Sequence, residues 1–191
     1  MALEIEAKMK VPDLTVIRER LIQLGAQRVG DYTEINTFFD TEDRSLLAMD
    51  HGLRLRSSRS LDDNTQIFRY TFKGARQYGT LKSRDEIELD VGDYRTAERF
   101  LVALGFQKVL SFEKRRNTWT FQACSIELDD LPHLGKYVEV EGPDEATILN
   151  VRKQLGLEKA AIIKTSYVAM LMSHLQESGS HARSITFENA G

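Results

Sequence analysis

Hydrophobic and polar positions alternate one by one through much of the chain, and the alternating runs share an unusual polar face. Leu3, Ile5 and Ala7 lie on one side of the first run and Glu4, Glu6 and Lys8 on the other, the period-2 pattern of a strand between two environments. The same pattern predicts strands over Thr33–Asp40, over His51–Arg56 with Arg54 and Arg56 opposite Leu53 and Leu55, and over Gln66–Lys73 with Arg69, Thr71 and Lys73 on one face. It recurs at Arg84–Leu89, where Arg84, Glu86 and Glu88 oppose Ile87 and Leu89, and at Phe112–Phe121, which carries Lys114 and Arg116 on one face. Ser125–Asp129 then sets Glu127 and Asp129 opposite Ile126 and Leu128, and Lys136–Glu141 sets Glu139 and Glu141 opposite Val138 and Val140.

Between these runs the period changes to that of helices. Pro12-Asp13 opens a helix with Leu14, Ile17, Leu21 and Leu24 on one face, ended by Gly25. A second runs from Asp93 to Leu104, with Ala97, Phe100, Leu101 and Leu104 inward and Gly105 as its stop. A third starts after Gly142-Pro143-Asp144 and ends at Leu155-Gly156, and a fourth is expected from about Ala161 to about His174. Glu4-x-Glu6, Glu86-x-Glu88 and Glu139-x-Glu141 each end a strand that leads into a helix closed by Leu-Gly, an internal repeat. The Gly74–Thr80 link is expected to be mobile, the Gly74–Arg84 segment to close over the tunnel mouth as a lid, and the polar tail 176–191 to be weakly structured beyond a domain spanning 1–175.

About eight antiparallel strands, each charged on one face and apolar on the other, bury their apolar faces under helices if the sheet closes on itself. The expected fold is therefore α+β, a closed eight-stranded antiparallel β-barrel with a charged interior and amphipathic helices packed outside. A solvated outer face laced with salt bridges would explain any single strand, but would leave the helices without an apolar sheet face to cover. The interior would then hold Glu4, Glu6, Glu86, Glu88, Glu127, Asp129, Glu139 and Glu141 beside Lys8, Arg54, Arg56, Arg69, Lys73, Arg84, Lys114 and Arg116. Uncompensated buried ions cost several kcal/mol each, so such a bore should be wet and hold ions. Arrayed Arg and Lys suit the oxygens of a linear polyphosphate, and carboxylates without His or Cys suit Mg2+ or Mn2+.

Composition narrows the partners. The 191 residues are 41% hydrophobic and 29% charged, enough for one core, and a net charge of -3 with a pI near 5.9 offers no global attraction to nucleic acid or anionic lipid. Cys124 is the single cysteine, which excludes an intramolecular disulfide and a cysteine-based zinc site. No apolar run reaches membrane-spanning length and nothing at the N-terminus reads as a signal peptide, so a cytoplasmic location is expected. Trp119 falls on the face opposite Lys114 and Arg116 and is expected to pack under a helix.

These residues resemble the CYTH family, the triphosphate tunnel metalloenzymes. Glu4-x-Glu6-x-Lys8 matches its E-x-E-x-K signature, and the likeness continues through Leu53-Arg54-Leu55-Arg56, Thr71-Phe72-Lys73-Gly74, Glu86-x-Glu88, Lys114-x-Arg116-x-x-Trp119, Leu128-Asp129 and Leu134 to Glu141. It extends from Met1 to about Met172, including Lys164-Thr165-Ser166-Tyr167 near the end. The resemblance implies a tunnel that binds triphosphate with Mg2+ or Mn2+, in which the carboxylates above hold metal and the cations hold phosphate. Lys8, Lys73 and Arg116 are the expected catalytic side chains. The family includes class IV adenylyl cyclases, thiamine triphosphatases and inorganic triphosphatases. Leu104-Gly105-Phe106 and the Lys114-Arg115-Arg116-x-x-Trp119 strand look most like the cyclase branch. That branch implies cyclisation of ATP to cyclic AMP and pyrophosphate. The alternatives are hydrolysis of inorganic or thiamine triphosphate, or binding of nucleotide or polyphosphate without turnover; a homodimer is also possible.

Overall fold

The computed structural model describes residues 2–77 and 79–189. Eight strands, β1 (Ala2–Val11), β2 (Gln27–Asp40), β3 (Gly52–Ser60), β4 (Gln66–Lys73), β5 (Lys82–Val91), β6 (Gln107–Phe121), β7 (Cys124–Leu131) and β8 (Gly135–Glu141), pair in the order β2-β3-β4-β5-β1-β8-β7-β6. A long β2–β6 ladder joins the two ends, so the sheet closes into the expected antiparallel barrel. The β6–β7 hairpin turns on Gln122 and Ala123, both with positive φ (49° and 60°), the twist-compatible geometry of a two-residue hairpin turn.

The repeated strand-to-helix step has a common local cause. Asp13, Asp93 and Asp144 each cap a helix by accepting a backbone N–H two or three residues on, opening α1 (Leu14–Gln23), α3 (Tyr94–Ala103) and α4 (Glu145–Gln154). Each helix is followed by a glycine, Gly25, Gly105 or Gly156, at φ between 73° and 93°. The short α2 (Ser45–Ala48) is fixed by Asp40, whose carboxylate accepts from the N–H groups of Leu46 and Leu47.

Helices α1 and α4 cover the outer side of β1, β8, β7 and β6. Ile17, Leu21, Ile148, Val151 and Leu155 pack there against Ala7, Met9, Trp119, Ile126, Leu128, Val138 and Val140, so Trp119 lies under the helices as its parity predicts. Gly142 passes so close that an added Cβ would stand 2.7 Å from the Cys124 Sγ, which is why the chain turns here on glycine. Helix α3 seats Ala97 and Leu101 on Phe39 and Leu55. Phe100 and Leu104, expected inward, are each 59% exposed: small Ala97 brings the helix near enough for the Tyr70 hydroxyl to donate to its carbonyl, and the helix's two flanks then face solvent.

Four other expectations change. The fourth long helix, α5, spans Tyr167–Glu177 and begins later than its periodicity suggests. Residues 162 and 163 instead run beside β1, with Ile162 paired to Met9 and the Ile163 N–H donating to the Lys8 carbonyl (2.8 Å), and Ser166 caps the helix. Nor does α5 pack outside. Tyr167, Leu171 and Leu175 meet Leu110, Phe112, Leu131 and Tyr137, which share the bore-facing parity of their strands, so α5 closes one end of the barrel with an apolar plug.

The polar tail is not loose either. β7 pairs with β6 only from Arg115 onward, leaving the first half of that β6 edge open, and β9 (Ser184–Ile185) adds to it in parallel beside Ser111 and Phe112. Ile185 is 1% exposed beneath α5, enough apolar burial to hold the segment. The Gly74–Thr80 link is likewise tied down among its described residues. Arg76 pairs with Asp50 (2.9 Å), Lys164 donates to the Gly79 carbonyl (2.7 Å), and the Thr80 N–H donates to Glu145 (3.1 Å).

Candidate functional site: a charged bore

Closure of the barrel turns the charged strand faces toward one another. Cross-strand register then decides which charges meet: Lys8 lies opposite Glu139, Glu6 opposite both Lys82 and Glu141, Arg116 opposite Asp129, and Lys73 opposite Glu86.

Deep in the bore Asp129, with no exposed surface, is gripped by Arg116 through two bonds of 2.7 Å. Arg116 also reaches Glu139 (2.7 Å) and, at 3.5 Å, Glu127, which is held by the hydroxyls of Thr118 and Ser125. Lys114 sits between Glu34 (3.1 Å) and Asp129 (3.4 Å), and Arg56 between Glu34 (3.2 Å) and the Asn36 carbonyl oxygen (2.9 Å). Burial would raise Glu34 and Glu139, but surrounding cations outweigh it and hold both well below the usual carboxylate range: Arg56, Lys114 and Arg116 around Glu34, and Lys8, Arg116 and Lys114 around Glu139. Lys8 and Lys114 are pushed down, chiefly by burial.

A second group gathers around the carboxylates of β1. Lys73 donates to both oxygens of Glu4 at 2.7 Å and lies 3.5 Å from Glu86, while Lys82 pairs with Glu6. Burial raises Glu86, and Glu4 adds to the shift. Glu141 retains contact with solvent, yet burial of its carboxylate, together with Glu4, Glu86 and Glu6, pushes it up to about 7. These carboxylates are therefore short of positive charge even with two lysines among them. Among the described residues no three Asp, Glu, His or Cys side chains already converge as a ready-made cage. Glu4, Glu6, Glu86 and Glu141 nevertheless fit a hard divalent cation: all are oxygen donors, they repel one another, and Mg2+ needs only one or two of them beside water and phosphate.

Arg54 stands apart. Its Nη2 donates to the Thr71 hydroxyl (2.9 Å), and among the described residues its buried Nε has no hydrogen-bond partner and no carboxylate lies within ion-pair distance. Burial, then nearby Arg56, push it down to about 10.

The remaining candidates lie toward the rims. Arg84 is bound to Asp50 (2.9 Å) and to the Asp50 and Gly74 carbonyls, which anchors the link. Arg69 and Glu88 pair with each other (2.9 Å) at a solvated end, where Arg69 also meets Asp90. Five residues in or beside the bore were not anticipated: Glu34, Asn36, Lys82, Asp50 and Tyr167. Glu34-Ile35-Asn36 alternates in the telltale way, and Lys82 extends the Arg84-Glu86-Glu88 face by one step, whereas Asp50 in a loop and Tyr167 on a helix carry no such signal.

A closed antiparallel barrel with acids and bases ranked along its bore defines a class of tunnel-shaped folds. The CYTH domain matches residues 2–167, and the chain belongs to the CYTH family. It is 27% identical over 177 residues to a Methanocaldococcus jannaschii protein named "Putative adenylate cyclase", covering 88% of this chain and 98% of that one. In fold it is similar to the PH1819 protein of Pyrococcus horikoshii (TM-score 0.77, 23% identity, covering 90% of this chain and 99% of that one). It is also similar to HpAC1 of Hippeastrum, described with a dominant triphosphatase activity (TM-score 0.65, 17% identity, covering 95% and 98%). Among the described residues no helix is long and apolar enough to cross a membrane.

Proposed function

We propose that this protein is a metal-dependent enzyme acting on a triphosphate inside the bore, and that its reaction is cyclisation of ATP to cyclic AMP and pyrophosphate. The observation that carries the triphosphate reading is Arg54, whose buried Nε has no hydrogen-bond partner and which, among the described residues, has no carboxylate within ion-pair distance, next to Arg56. An anionic oxygen supplies what Arg54 lacks. Glu4, Glu6, Glu86 and Glu141 would hold Mg2+ or Mn2+, which contributes charge neutralisation at the phosphates. The basic side chains orient the chain of phosphates; Lys73 turns from Glu4, and Lys8 from its looser approach to Glu139, toward phosphate oxygens as these arrive. In cyclisation the ribose 3′-hydroxyl forms the new bond to the α-phosphorus and gives up its proton as pyrophosphate leaves.

The preference for cyclisation rests on the cyclase-like motifs and the cyclase-named relative. A second reading, hydrolysis of inorganic or thiamine triphosphate, is favoured by the Hippeastrum structure, because the same cations and metal serve water attack at the terminal phosphorus. Incubation with Mn2+ and, separately, ATP, inorganic triphosphate and thiamine triphosphate, followed by chromatographic resolution of products, tests this. Cyclic AMP with pyrophosphate is expected. Orthophosphate from inorganic triphosphate with ATP untouched would replace cyclisation by hydrolysis, and no turnover of any of the three would favour a binding module.

A further inference from the structure

The plug that closes the barrel sends one polar group into the bore. Tyr167, the first residue of α5, is 8% exposed, and its hydroxyl donates to the Asp129 Oδ2 at 3.1 Å. Its ring lies 4.2 Å beneath the Lys8 Nζ and 5.7 Å from the Lys114 Nζ, and it is braced edge-to-face by Tyr137 at 5.2 Å. One turn and two turns on, the same helix face carries Leu171 and Leu175, which fill the plug with no polar atom. Sealing alone needs no hydroxyl, and a buried tyrosine hydroxyl is costly unless partnered.

The partners chosen are informative. Asp129 is the side chain to which Arg116 and Lys114 both bond, so whatever fixes its second oxygen fixes the positions of both cations. Lys8 is 3.6 Å from Glu139, beyond a hydrogen bond, whereas Lys73 is clasped by Glu4 at 2.7 Å. An aromatic face attracts an ammonium without occupying its hydrogen-bond donors. A lysine resting on a ring can therefore turn to an incoming oxygen without first breaking a close ion pair.

We propose that Tyr167 is a positioning residue of the bore, holding Asp129 in place beneath Arg116 and Lys114 while its ring keeps Lys8 located but free to donate. The proposal builds on the triphosphate reading of the tunnel. It makes α5, locked by β9, part of the phosphate-binding apparatus rather than only its stopper.

The test compares Tyr167→Phe, Tyr167→Leu and, as a packing control in the same cluster, Leu171→Ala. The first readout needs no substrate. The side-chain methylene protons of Lys8 nearest its ammonium are expected at high field in the NMR spectrum of the wild type and of Tyr167→Phe, and at ordinary positions in Tyr167→Leu. The second is affinity for inorganic tripolyphosphate with Mg2+, corrected for folded fraction. Tyr167→Phe is expected to lose about threefold to tenfold and Tyr167→Leu roughly thirtyfold or more, while Leu171→Ala melts earlier but binds within about twofold of wild type. Wild-type affinity in Tyr167→Leu would overturn the proposal, as would an equal loss in Leu171→Ala, which would make the effect one of packing. If the wild type bound no tripolyphosphate the triphosphate reading itself would fall, while an ordinary Lys8 shift in the wild type would overturn the ring contact whatever the protein binds.

Discussion

Replacing Arg54 by methionine should stabilise the ligand-free protein and weaken its hold on triphosphate. The guanidinium is pushed down to about 10 because burial and Arg56 disfavour its charge more than Glu34, Glu86 and Glu4, none of them within ion-pair distance, favour it. At about 1.4 kcal/mol per pH unit that shift is worth roughly 3 kcal/mol against folding, and access of solvent to part of the side chain reduces it to about 1–3 kcal/mol. The sign is that of a base whose folded value lies below its unfolded one. The penalty is fully present below about 10, neutral pH included, and fades as pH rises from there toward the ordinary arginine value. Methionine fills much of the same volume without charge, and Thr71 keeps a second contact to Glu88 at 3.3 Å, so no buried hydroxyl is stranded. At pH 7 the variant should unfold about 1–3 kcal/mol later in a urea titration. Its affinity for tripolyphosphate should fall by roughly 30- to 300-fold, the usual cost of losing one partner of a buried charged contact. A variant that lost about 2 kcal/mol or more of stability and bound tripolyphosphate as before would show Arg54 to be structural and refute the reasoning.

Two further outcomes follow from the same geometry. Because Glu141 is pushed up to about 7 by burial and its carboxylate neighbours, it is protonated below that value, and protons then compete with metal. Calorimetric affinity for Mn2+ should therefore fall by up to about tenfold per unit between pH 7 and pH 6, more shallowly in Glu141→Gln, and an affinity flat across that range would remove Glu141 from the metal cluster. Ile185→Asp should cost about 2–5 kcal/mol in denaturant unfolding, since it drives a charge into the plug, whereas an unchanged midpoint would return the tail to a dispensable appendage.

The barrel was legible in the sequence because its unusual feature is periodic. Charge on every second residue, repeated from Glu4-x-Glu6 to Glu139-x-Glu141, can be read one strand at a time, and Asp caps with Gly stops mark α1, α3 and α4 just as locally. What escaped depends on contacts between distant segments. Glu34 shares the alternation of its strand with Asn36, but that it is a buried partner of Arg56 and Lys114 shows only when those side chains close on it from neighbouring strands. Ala161–Thr165 has helical periodicity, but β1 offers it backbone partners at Met9 and Lys8, and tertiary pairing overrides the local preference. Ser184-Ile185 is too short to announce a strand, and its place exists only because β7 leaves the edge of β6 open. The charge balance also differs from expectation: among the described residues most bore charges neutralise one another across strands instead of facing an empty tunnel.

Calorimetric titration of inorganic tripolyphosphate into the protein, with and without Mg2+, probes the charged bore most directly. Saturable binding of one tripolyphosphate per chain that requires the metal, and that weakens in Arg54→Met, is predicted. No binding under either condition, or binding indifferent to both the metal and Arg54, would contradict the assignment of the bore as a triphosphate site.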